Sequence, residues 1–140
     1  MSYRMRGGLA LIIAAAVGAS GCGSSGTTTA SKPAFCSSLT TLKASVKALP
    51  TTDVVKNGTN ALKSAADTVV KDAKQVVDSA KHDFPNETAA ITSSVDALQS
   101  TVTQLQNGAT PALLTQAVAN AVSVTTAVKN FASSASPKCG

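Results

Sequence analysis

"ITSSVDALQSTVTQL" (residues 91–105) places its apolar side chains at Ile91, Val95, Leu98, Val102 and Leu105, in steps of 4, 3, 4 and 3. A half-buried strand would alternate every second residue. Steps of three and four instead line one face of an α-helix. The same rhythm recurs three times: Phe35, Leu39, Leu42, Val46 and Leu49; then Leu62, Ala66, Val69, Ala73, Val76 and Ala80; then Leu114, Ala117, Ala121, Val124, Val128 and Phe131. Four heptad-like seams in one chain predict an all-α protein.

Helix breakers fall between the seams. Pro50 follows Leu49, with Thr52 or Asp53 as the next N-cap. Pro85 follows Phe84, and residues 86–88 restart a helix. Asn107-Gly108 closes the third segment, with Gly108 expected in the left-handed conformation that ends many helices. Thr110-Pro111 opens the fourth as N-cap and N1, and Pro137 is expected to end it. Within "KNGTN" (residues 56–60), Gly58 kinks the second helix or delays its start.

The chain has 140 residues, 44% of them hydrophobic but only 3% aromatic, with no Trp. That is one domain's length, with a core of Ala, Val, Leu and a few Ile and Phe. Frequent Val and Thr lower intrinsic helicity, so the isolated helices would be marginal and must shelter one another. The small seam residues Ala66, Ala73, Ala80, Ala117 and Ala121 imply close helix approach. The expected architecture is an antiparallel four-helix bundle, up-down-up-down, over residues 33–140.

The N-terminus is of another kind. Arg4 and Arg6 make a basic start, Leu9 to Val17 is an unbroken apolar run, and Ala19-Ser20-Gly21 is a small-residue exit. This is the pattern of a secretory signal peptide over residues 1–21, and the run is shorter than the ~20 residues a membrane span needs. Residues 22–32, "CGSSGTTTASK", read as a flexible tether with a typical span of about 17 Å. Its Thr27-Thr28-Thr29 run could accept O-linked sugar, though a plain spacer accounts for it as well.

Ala19-Ser20-Gly21-Cys22 resembles the lipobox of bacterial lipoproteins, with Ala19 where that family usually has Leu. The resemblance implies cleavage between Gly21 and Cys22 and a diacylglycerol on the Cys22 thiol, with palmitate-type acyl chains. It places the protein on the outer face of the cell membrane. Val17-Gly18-Ala19 also fits an ordinary signal-peptidase site, which would release a secreted protein with a free Cys22. In its Ala/Val/Thr bias the mature part is similar to small helical lipoproteins of actinobacteria.

Three cysteines cannot all pair within one exported chain. Lipidation accounts for Cys22 and leaves Cys36 with Cys139. An even number of antiparallel helices brings the start of the first and the end of the last to the same end of the bundle. The cysteines flank a loop of about 100 residues, for which loop entropy gives about 4.7 kcal/mol.

Catalytic chemistry has little to work with. His82 is the only His, and Asp78, Asp83 and Glu87 lie near it in sequence. A zinc site needs more ligands at recognisable spacing, and Asp78/His82 reads as a solvated i,i+4 pair. Glu87 is the only Glu, which rules out a di-iron bundle. There is no phosphate-binding Gly loop, no Gly-x-Ser-x-Gly elbow and no Cys-x-x-Cys. Asn57-Gly58-Thr59 and Asn86-Glu87-Thr88 match the N-glycosylation pattern by chance in a bacterial chain. Of 12 Lys and Arg, ten Lys remain after Arg4 and Arg6 are removed, against seven acids, for a net +3. They are scattered and lack aromatic partners, which argues against nucleic-acid binding. The expected function is non-enzymatic, without metal or cofactor: a lipid-anchored binding or structural protein that meets an envelope protein or cell-wall polymer. The alternative is a carrier of a lipid or other apolar ligand in the bundle core.

Overall fold

A computed structural model of the chain describes residues 31–50 and 54–140. It contains four helices: α1 (Ala34–Lys47), α2 (Val54–Ala80), α3 (Pro85–Asn107) and α4 (Pro111–Cys139). Each packs on the next, and α4 returns to pack on α1. With tight connections at residues 81–84 and 108–110, neighbours must run antiparallel. The fold is the expected up-down-up-down bundle. The signal peptide, the cleavage site at Gly21 and Cys22, most of the tether and the Thr52/Asp53 cap lie outside the described residues.

The seams form the core. Every seam residue predicted from spacing is buried except Leu114, which packs partly buried against the same cluster. Leu114 sits in the first turn of α4, at the edge of the bundle, where fewer neighbours surround it. On α2 buried Ala66, Ala73 and Ala80 alternate with Leu62, Val69 and Val76, and on α4 Ala117 and Ala121 lie side by side in the seam, so small side chains let the helices approach closely.

The helix ends hold three corrections. First, Pro137 does not terminate α4, which runs on to Cys139. A proline deprives the carbonyl four residues back of its donor. Here that carbonyl belongs to exposed Ser133, where water can take over, and the Gly140 N–H donates to Ser136 O at 2.9 Å. Second, Gly108 is not left-handed: at φ 170° it is extended, and its N–H caps the Gln104 carbonyl. Third, α3 starts at Pro85 itself, since proline at N1 sacrifices only a donor with no helical partner. Thr110 caps α4 as expected, its Oγ1 accepting from the Leu113 N–H at 3.2 Å. Gly58 breaks the helical path inside α2 at φ 76°, ψ 164°.

Two polar contacts, each with a partly buried bond, join neighbouring helices. Ser45 on α1 donates to the carboxylate of Asp72 on α2. Asn120 on α4 donates to Thr101 Oγ1 at 2.9 Å and to the Ala97 carbonyl at 3.1 Å, both on α3.

Candidate functional site

Chemistry-bearing residues gather at two places, both on the side of the bundle formed by α1 and α4. The first is the end where α1 starts and α4 finishes. The Cys36 and Cys139 sulfurs are 2.07 Å apart there, with Cα atoms 5.6 Å apart. The cysteine pairing expected from parity is therefore present, although Cys139 is the last residue of α4 rather than lying beyond it. Beside it stand all three phenylalanines of the chain. Phe35, Phe84 and Phe131 meet edge to face, with ring centroids 5.5, 6.1 and 5.3 Å apart. Such pairs contribute roughly 0.5–1.5 kcal/mol each beyond buried area. Phe84 belongs to the α2–α3 turn, so the triad joins that turn to α1 and α4. Lys138 adds to the joint, 3.2 Å from the Asp83 carboxylate and 5.2 Å from the Phe84 ring centre.

The acidic residues near His82 do not form a cluster with it. Asp78 pairs with Lys81 at 3.5 Å, not with His82. His82 itself lies in the turn that follows α2, which ends at Ala80. Among the described residues no group of three or more His, Cys, Asp and Glu is placed to hold a metal ion. Thr88 of the Asn86-Glu87-Thr88 sequon is buried, its hydroxyl donating to the Phe84 carbonyl at 2.8 Å.

The second place is an open groove of about 410 Å³ between α1 and α4. Its floor is Val46, Val128 and Ala132, and its rim carries Lys43 and Lys47 from α1 and Lys129 from α4. The two hydroxyls in its wall are already committed within α4: Thr125 donates to Ala121 O and Ser133 to Lys129 O. The ammonium groups are therefore the polar groups it offers. A second depression of about 260 Å³ continues it past Lys43 and Ala132 to Leu39 and the Cys36–Cys139 pair.

The groove exists because α1 and α4 are joined less closely than the other neighbours. Thr125, Ala132 and Ser133 are too small to fill the gap, and lysines opposite them turn their charged heads to water. The lysines are scattered along the sequence, but the fold gathers Lys43, Lys47 and Lys129 at one groove. Asp and Glu occur only between residues 53 and 96, so α1 and α4 contain none at all. That gap in acidic residues was the signal available in the sequence. Antiparallel pairing of the first and last helices turns it into a face with one sign of charge.

Comparison with protein-family models, with curated proteins and with solved structures finds no match for this chain.

Proposed function

We propose that the protein is a non-enzymatic, lipid-anchored protein of the outer membrane face, carried on a short tether through Cys22. The observation that supports this reading is the order of its parts: basic start, apolar run, Ala19-Ser20-Gly21-Cys22, then a Gly/Ser/Thr spacer leading into the first helix. It resembles the bacterial lipoproteins in that leader. Two acyl chains give stable anchoring where one gives only reversible binding.

The tether enters α1 at Pro33, at the end that carries Cys36, Cys139 and the phenylalanine triad. On this reading the stapled end sits nearest the bilayer, and the far end of the bundle stands toward the cell wall. The role is binding or structural, with an envelope protein or wall polymer as partner. The test is cell fractionation with intact mass measurement. Wild type should partition with membranes and carry diacylglycerol on an N-terminal Cys22, and Cys22→Ala should move to the medium. An unmodified N-terminus at Ser20 in the wild-type protein would overturn the proposal and favour plain secretion.

A further inference from the structure

We infer that the α1–α4 groove is a binding site for a single-chain anionic amphiphile, with the acyl chain in the groove and the anionic head on the lysine rim. This does not rest on the anchoring through Cys22, since a secreted form would contain the same groove.

Three observations support it. The first is chemical: the floor is aliphatic, and the wall hydroxyls are already spent on backbone carbonyls. A polar ligand would find no partner along the floor, whereas a hydrocarbon chain would lose none. The volume falls within the range of about 300–1,000 Å³ typical of small-molecule sites.

The second is charge. Lys43, Lys47 and Lys129 stand at the rim, and neither helix has an acidic residue to answer them. The three ion pairs among the described residues involve Lys63, Lys81 and Lys138 instead. Among the described residues no carboxylate pairs with the rim lysines, so an anion here would gain charge-assisted hydrogen bonds. A cationic or neutral head would not.

The third is shape. The main groove and its continuation run along α1 from Lys47 to Cys36. At 1.5 Å per residue that path is about 16 Å, close to one leaflet of a hydrocarbon core about 30 Å thick. The head therefore sits between Lys47 and Lys129, and the chain passes over Ala132 toward Leu39 and the cysteine pair. A flat membrane surface fits less well, because the apolar lining lies between two helices, behind a rim of lysines.

The experiment uses the full chain exported as Cys22→Ser, so that no acyl group of its own can enter the groove. Calorimetric titration compares dodecyl phosphate, dodecyl maltoside and dodecyltrimethylammonium, which share a tail and differ in head charge. Dodecyl phosphate should bind one per chain, about tenfold tighter than the other two, the scale of one charged hydrogen bond. Lys47→Gln with Lys129→Gln should remove that preference. Ala132→Phe, which fills the floor, should abolish binding while the helical circular dichroism is retained. Ser133→Leu, on the lip, gives the same test should the phenylalanine disturb folding. Dodecanoate and lysophosphatidylglycerol, run in parallel, separate a free acid from a lipid headgroup as source, and tight binding of either supports the site. Equal affinity for all three heads, binding unchanged by both plugging variants, or binding only to phosphatidylglycerol vesicles would overturn it.

Discussion

Ser45 donates its hydroxyl hydrogen to the carboxylate of Asp72 across the α1–α2 interface. Asp72 is only 7% exposed, and Ser45 is the side-chain partner it has among the described residues. Ser45→Ala should therefore cost more than one surface hydrogen bond, about 1–3 kcal/mol, because a buried acceptor loses its donor. Urea unfolding at neutral pH reads the difference. Adding Asp72→Ala to Ser45→Ala should cost less than the sum of the two single changes.

Asn120 plays the corresponding part between α3 and α4, holding the Thr101 hydroxyl and the Ala97 carbonyl. Asn120→Ala should destabilise the bundle by about 1–2 kcal/mol. The pair Asn120→Leu with Thr101→Val should recover most of that, since no buried polar group is then left without its partner. Thermal melts of the three variants distinguish these outcomes.

The Cys36–Cys139 bond spans a sequence separation of 103 residues. Its removal should lower stability by about 2–5 kcal/mol, mainly by freeing the unfolded chain. Cys36→Ser, Cys139→Ser and the double variant should melt at about the same temperature, with the far-UV helical signal unchanged below the transition. Ready labelling of both thiols in the native, non-reduced protein would contradict the pairing.

Phe131 touches both other rings of the triad and is fully buried. Phe131→Ala should cost about 3–5 kcal/mol, the usual range for emptying a buried aromatic site. The effect should be largest at the stapled end. Hydrogen exchange would show it as lost protection around Phe35 and Phe84 before the opposite end opens.

Gly58 separates a propensity argument from a structural one. By propensity, Gly58→Ala should stabilise α2 by about 1 kcal/mol. The φ of 76° and ψ of 164° instead place Gly58 where residues with a Cβ are strained, at a cost of about 1–3 kcal/mol. The expected result is a lower midpoint in denaturant.

The sequence by itself determined the helix count and the helix faces, and the even count placed Cys36 and Cys139 at one end. These follow from local spacing and from parity: a 3.6-residue turn forces residues three and four apart onto one side. The caps were legible where a side chain acts on its own turn, as Thr110 does. They were misjudged where tertiary context decides, as at Pro137, whose α4 continues to the residue that meets Cys36. Only the tertiary structure decided which surfaces meet. It gathered three phenylalanines from residues 35, 84 and 131 into one cluster, and it buried Asp72 opposite Ser45. It also set Lys129 across a groove from Lys43 and Lys47. Spacing along one helix states which side chains share a face, but not which face of another helix will lie against it. That choice is made by packing four unequal helices at once, and the space left between α1 and α4 is its result.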